Sequence, residues 1–167
     1  MIDLKSGIER RRLLHLLMAV PGFGLTAGLS ACQQTPPVYD LMVSRDVGCP
    51  CCHVWIEVVQ ASARFRVTMI DAPDLPALKQ KLGVPPGLGS CHTAVADGYV
   101  IEGHVPVEDI LRLLAERPPG IIGIALPGMP RGSPGMEQPN GVIDAFSVVA
   151  FDKNGAQSDY SYHAGSP

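Results

Sequence analysis

No apolar run in this chain is long and unbroken enough to be a convincing membrane span. The one candidate, Leu13 to Ala31, is interrupted by Pro21, Gly22 and Gly24. Positive charge is also scarce. The four basic residues (Lys5, Arg10, Arg11, Arg12) and two acidic residues (Asp3, Glu9) before Cys32 leave 9 basic and 14 acidic residues from Cys32 onward, a net charge of about −5. Such a surface does not recruit nucleic acid or anionic lipid. No internal repeat is found.

What the N-terminus does carry is an address. Lys5 and Arg10 to Arg12 form a charged n-region, and the broken apolar stretch behind them is a secretory h-region, so residues 1–31 are excluded from fold reasoning. Leu29-Ser30-Ala31-Cys32 matches the bacterial lipobox, in which small residues precede a cysteine that is lipidated and becomes the new N-terminus. Gln33 is not the Asp that favours inner-membrane retention, so the expected location is the periplasm, anchored to the outer membrane. Attachment through several acyl chains is stable where one chain is not. Arg10-Arg11-Arg12-Leu13-Leu14 also fits a twin-arginine signal, which leaves the Sec and Tat routes open. The expected organisation is a lipoprotein signal peptide over 1–31, a lipid-anchored tether over 32–38 and a folded domain over 39–163 with one modest core.

Periodicity and turn chemistry supply the elements. Tyr39 to Val43 is a candidate first strand. Cys49-Pro50 reads as a helix start, because proline at the first helical position has no intrahelical N–H bond to lose. Cys52, Trp55, Ile56 and Val59 then follow at i, i+3, i+4, i+7, one helical face. Arg64 to Ile70 reads as a strand and Asp74 to Leu82 as a short helix stopped by Gly83 and Pro85-Pro86. Asp97-Gly98 predicts a two-residue turn between strands His92–Ala96 and Tyr99–His104. A third helix from Val107 ends near Pro118, and Ile121 to Leu126 is a further strand. Pro127 to Pro139 is too rich in Pro and Gly to be regular, and Phe146–Phe151 with Gln157–Tyr162 reads as a terminal hairpin. A cysteine motif at the start of the first helix, after a first strand, suggests an α/β fold with a thioredoxin-like βαβ-ββα core and a C-terminal β-hairpin extension.

With Cys32 assigned to lipid, Cys49, Cys51, Cys52 and Cys91 remain. Two structural disulfides, the ordinary use of cysteine in an exported protein, fit poorly. Cys51 and Cys52 are adjacent, and three sulfurs within four residues have only Cys91 as a distant partner. A second reading is thiol–disulfide oxidoreduction by Cys49 and Cys52, whose C-x-x-C spacing at a helix N-terminus favours the thiolate. That chemistry needs neither Cys51 nor Cys91. A third reading uses all four sulfurs as a soft-donor pocket for Cu(I), Zn or Fe–S species. Zinc accepts four such ligands in a tetrahedral site. Adjacent Cys51 and Cys52 do not easily face one central ion, and thiolates bridging several Cu(I) ions relax that demand, which places copper ahead of zinc.

A clean Asp97-Gly98 turn pairs Ala96 with Tyr99 and puts Cys91 opposite His104, an imidazole beside the fourth thiolate. His92 is expected on the other face. His15 belongs to the signal, and His53 and His163 are expected at the surface. Met129 and Met136 bracket the Gly/Pro loop and are candidate soft thioether ligands, or simply gap fillers. Trp55 is expected in the core beside the cysteines, and Tyr160 and Tyr162 in a strand.

Several longer motifs now stand in order: Cys-x-Cys-Cys-x-x-Trp, Ser90-Cys91-His92-Thr93-Ala94, Asp97-Gly98-Tyr99, Glu102-Gly103-His104-Val105-Pro106 and the Pro127 to Glu137 loop. Over roughly Tyr39 to Tyr162 the chain resembles the small periplasmic copper-resistance proteins called CopG. The resemblance implies a thioredoxin-like fold, a cysteine-bridged tetranuclear copper cluster on Cys49, Cys51, Cys52 and Cys91, and a role in copper tolerance that interconverts Cu(I) and Cu(II). One departure is Pro50, where the family usually has Gly; proline stiffens the segment carrying Cys49. The lipid anchor is not implied by the resemblance. The combined expectation is a lipid-anchored periplasmic copper-binding protein, with His104, Met129 and Met136 as secondary ligands and zinc as the runner-up metal. Its expected partners are copper ions and other periplasmic copper-handling proteins. Membrane contact is through Cys32 alone, and no nucleic acid is involved. The competing function is a thioredoxin-like oxidoreductase using Cys49 and Cys52; an enzymatic activity, if present, is copper redox or thiol–disulfide chemistry.

Overall fold

In the computed structural model, residues 35–167 are described. The signal peptide, Cys32 and residues 33–34 of the tether lie outside the described residues.

Proline and aspartate start the helices where the sequence places them. Pro50 opens helix α1 (Pro50–Ala61), which buries Cys52, Trp55, Ile56 and Val59, the face read from the periodicity. Asp74 caps α2 (Leu75–Lys81): its side chain accepts from the Ala77 N–H at 3.0 Å. Helix α3 (Val107–Glu116) buries Ile110, Leu113 and Leu114 and ends at Arg117, which takes the left-handed conformation with φ 47°. A 3-10 turn forms over Pro86–Leu88, a segment the sequence marks only as the stop of α2.

The strands are β1 (Tyr39–Arg45), β2 (Phe65–Asp71), β3 (His92–Ala96), β4 (Tyr99–Gly103), β5 (Ile121–Leu126), β6 (Phe146–Asp152) and β7 (Gln157–His163). They form one seven-stranded mixed sheet in the order β2-β1-β3-β4-β5-β6-β7. β1 is parallel to β2 and β4 is parallel to β5; the other neighbours are antiparallel. Pairs Ala96↔Tyr99 to Thr93↔Glu102 confirm the register that the Asp97-Gly98 turn predicts. No helix or strand forms over 127–139.

Alternation along the strands gives the sheet two unequal apolar faces. On one, Leu41, Val43, Ala94, Ile101, Ile124, Leu126 and Val148 pack under α1 and α3. On the other, Val100, Ala125 and Phe151 pack with Val84 and Leu88 of the segment after α2. The first helical turn of α1 and the start of β3 meet at one end of the larger core, and there the cysteines gather.

Candidate metal centre

Cys49 is the N-cap of α1 with an extended backbone, so the helix begins on the proline and its first turn presents Cys51 and Cys52. Sequence reasoning gave no partner to Arg45, which fixes this corner. Its buried side chain forms an ion pair through Nε with Asp71 (2.9 Å), and Nη1 donates to the Cys49 carbonyl at 3.4 Å. Cys91 arrives just before β3, and the Asp46 N–H donates to its carbonyl.

All four sulfurs lie within 4.8 Å of one another. Cys49 and Cys52 are joined by a disulfide, with Cα atoms 5.5 Å apart. Cys51 and Cys91 are free and half-buried. Cys91 Sγ lies 3.4 Å from Cys52 Sγ and 3.9 Å from Cys51 Sγ, while Cys49 Sγ and Cys51 Sγ are 3.4 Å apart. The neighbours Cys51 and Cys52 therefore both lie beside Cys91, whereas their adjacency in the sequence suggests that they do not easily face one ion. A tetrahedral ion with metal–sulfur bonds of ~2.3 Å spaces its sulfurs about 3.8 Å apart. Once the disulfide is reduced, these separations suit one four-coordinate ion as well as a bridged cluster, so adjacency does not by itself separate copper from zinc.

His104 lies where the hairpin register places it, with Nε2 3.4 Å from Cys91 Sγ. Its Nδ1 donates to the Pro134 carbonyl at 2.7 Å. A carbonyl only accepts, so the proton sits on Nδ1 and the Nε2 lone pair faces the sulfur; carbonyls orient metal-binding imidazoles in this way. His92 corrects the sequence reading. It is completely buried, its Nδ1 is 3.6 Å from Cys91 Sγ, and its ring centroid lies 4.4 Å from that of Trp55 and 5.2 Å from that of His104, tilted against both. Strict alternation puts His92 and His104 on opposite faces, but Gly103 breaks it with φ 75°. A Cβ at Gly103 would meet the Leu126 carbonyl at 2.8 Å, so the backbone closes there and turns His104 back toward His92.

Dry walls surround the donors. Trp55 is fully buried, as expected, and its Nε1 donates to the Val105 carbonyl at 3.0 Å. Burial pushes the Cys91 thiol up to about 11, and neighbouring Cys51 adds to the shift. Burial lowers His92 to about 3, with the charges of His104 and Lys79 acting in the same direction, and lowers His104 as well. At neutral pH the metal-free site therefore holds two neutral imidazoles and a protonated thiol whose proton a metal must displace.

The methionines take other places. Met129 is exposed with φ 46°, and Met136 is half-buried in a loop closed by its own bonds, Met136 N–H to Ser133 O and Gly132 N–H to Met136 O. The loop reaches the site through Pro134 and Gly135 instead. His53 is exposed, as expected. His163 is not a free surface residue: its Nε2 bonds Asp109 Oδ2 at 2.7 Å and its ring stacks on Phe146. Tyr160 and Tyr162 lie in β7.

Residues 88–136 match the model of a family described as "Protein of unknown function, DUF411". That span holds Cys91, His92 and His104 but not the Cys49–Cys52 segment. No curated protein matches the chain. Two solved structures are similar to it. "Copper resistance protein copG- Form 1" is 43% identical over 77% of this chain and 99% of its own, with a TM-score of 0.70. "Copper resistance protein copG- Form 2" is 43% identical over 75% of this chain and 98% of its own, also at 0.70.

Proposed function

This chain belongs to the CopG-type copper-resistance family, and from that premise we propose that it binds copper through Cys49, Cys51, Cys52 and Cys91 in their reduced state. The convergence of four sulfurs within 4.8 Å, from one helix start and one strand start, carries this reading. Soft thiolates select Cu(I) over harder ions. Trp55, His92 and His104 exclude water on the protein side, while half-buried Cys51 and Cys91 leave an approach for the incoming ion. Copper is the cargo here, held as a thiolate-bridged cluster that passes between Cu(I) and Cu(II). We read the β1-α1-β2 and β3-β4 part of the sheet as a thioredoxin-like core, with β6 and β7 as a hairpin added at its edge.

The oxidoreductase reading can claim the Cys49–Cys52 bond. It can use Cys91 as a resolving or substrate-facing thiol, but it assigns nothing to Cys51 or to the two imidazoles that face Cys91. Anaerobic Cu(I) titration of the reduced chain separates the two. Copper binding predicts several Cu(I) per chain, with loss on replacing any of the four cysteines by Ser. Oxidoreduction predicts catalysed reduction of a model disulfide that survives Cys51→Ser. Full zinc binding with no copper retained would overturn the copper assignment.

We further place the protein on the periplasmic face of the outer membrane through a lipid on Cys32, delivering copper to or receiving it from other periplasmic copper-handling proteins. Cys32→Ser should move it from the membrane fraction to the soluble periplasmic fraction. Retention in the membrane fraction counts against the anchor.

A further inference from the structure

We infer that the outward face of α1 is the docking surface for a basic protein that exchanges Cu(I) with Cys51. The inference rests on the copper reading above for its cargo and adds the surface and the chemistry of the partner. Between Pro50 and Ala61 the polar side chains other than cysteine are His53, Glu57 and Gln60, so α1 is apolar well beyond the face it buries. Cys51, Val54 and Val58 fall at i, i+3, i+7, a second stripe that turns away from the sheet. Val54 is 41% exposed and Val58 is half-buried, and both lie outside the core under the helix. Pro50, one turn before Val54, is exposed, and Val47, in the turn closed by the Cys49 N–H on the Asp46 carbonyl, is 78% exposed. A helix apolar on both sides is one that is covered on both. The stripe starts at Cys51, a free and half-buried thiol.

Charge identifies what covers it. From Asp46 to Ala61 the chain carries Asp46 and Glu57 and no Lys or Arg. Glu137 joins them: its carboxylate accepts from the Gly135 N–H at 2.8 Å, and Gly135 lies against the Trp55 backbone nitrogen on α1. All three carboxylates are exposed. The arginines of these segments are already paired, Arg45 with Asp71 and Arg131 with Asp144. An apolar stripe in an acidic frame fits a protein whose apolar patch is framed by Lys or Arg. It does not fit a second copy, which brings like carboxylates together, or an anionic lipid surface. Thiolate-held Cu(I) passes between proteins by ligand exchange, which needs both donors within reach of the ion, and a partner seated on this stripe reaches Cys51. A copper bond to Cys51 Sγ breaks as one to a soft sulfur of the partner forms; copper keeps its oxidation state, and the vacated thiolate takes up a proton from solvent.

The test is photocrosslinking of the full chain in copper-grown bacteria, with Val47→benzoylphenylalanine and, separately, Met42→benzoylphenylalanine on the face of the sheet away from α1. The probe at 47 should give an adduct with one protein, and mass spectrometry of the joined peptide should find Lys or Arg beside a Cys or Met. The probe at 42 should not give that adduct. Adding Val54→Glu or Glu57→Lys to the chain with the probe at 47 should each lower its yield about tenfold, the scale of one interface anchor. Purified Val54→Glu and Glu57→Lys chains should keep the melting temperature and Cu(I) stoichiometry of the parent, which separates a lost contact from a lost fold. No adduct at 47, an adduct joining two copies of this chain, a lipid adduct, an acidic partner peptide, or an undiminished yield in a folded Val54→Glu or Glu57→Lys chain overturns the inference. Cu(I) titration of the parent is a separate measurement. A chain that binds no Cu(I) overturns the copper reading whatever the adduct, and a copper-binding chain without the adduct overturns this inference alone.

Discussion

Glu102 shows how a single residue can set the site without holding metal. It is fully buried on the face of the sheet opposite α1, and its carboxylate accepts from Lys79 Nζ, the Ser90 N–H and Thr93 Oγ1. It thereby ties α2 to β4 and fixes the residue before Cys91. Glu102→Ala leaves a largely buried ammonium without its counter-charge and the Ser90 N–H without its acceptor, and removing one partner of a buried pair costs ~3–5 kcal/mol. Urea unfolding should show that loss, and Cu(I) affinity should fall with it because Cys91 is no longer positioned. Gly135 is the second such residue. A Cβ there would sit 2.8 Å from the Trp55 backbone nitrogen and 3.2 Å from His104 Nδ1, at φ 81°. Gly135→Ala should therefore cost about 1–3 kcal/mol in thermal unfolding and loosen the Pro134 hold on His104. An unchanged melting temperature and unchanged metal affinity would show that the loop simply moves aside. Neither role was readable from the sequence. Lys79 and Glu102 are 23 positions apart, and a glycine in a Pro/Gly loop announces a turn, not which tryptophan it lies against.

Elements defined by local chemistry were legible. The proline at N1 of α1, the Asp97-Gly98 turn and the apolar face of α3 each act within a few residues, so one sequence suffices to read them. The same register arithmetic placed His104 beside Cys91 before any geometry was known. It failed for His92, because period-two alternation holds only while the strand stays extended, and Gly103 ends that. Pairing of β4 with β5, and hence the continuity of all seven strands, depends on a crossover through α3 that leaves no local mark. Helix α2 is a sensitive element because it is only seven residues long and relies on one cap. Asp74→Ala removes the acceptor of the Ala77 N–H and should lower stability by about 1 kcal/mol. The urea midpoint should drop while Cu(I) stoichiometry stays that of the parent, since no ligand sits on α2. A loss of copper in a folded Asp74→Ala chain would mean that the cap also keeps Lys79 in place against Glu102.

For the whole molecule, burying two imidazoles and a thiol confines the stability of the metal-free protein to a pH window. The unfolded chain protonates His92 below its ordinary 6.5, whereas the folded chain keeps it neutral down to about 3. Over that range the unfolded state binds more protons, so stability rises with pH and is lost on acidification. His104, also lowered by burial, acts in the same sense. By pH 4.5 the loss from His92 alone is on the order of 2–3 kcal/mol. At the alkaline end the sign reverses. Cys91 stays protonated up to about 11 when folded but ionises above its ordinary 9.0 when unfolded, so the folded state binds more protons and stability falls as pH rises between those values. Urea midpoints of the metal-free chain at pH 4.5, 7.5 and 10 should therefore peak at the middle value. The carboxylates of Asp40 and Asp144, held low by Arg66 and Arg131, lose their contribution only near and below pH 4, outside this comparison. His92→Gln should flatten the acid limb and leave the alkaline limb in place. Copper loading should flatten the alkaline limb as well, because a metal-bound thiolate has already given up its proton. Midpoints that do not change from pH 4.5 to 10 would mean that water reaches the three side chains in the native state, which contradicts the dry walls on which the metal site depends.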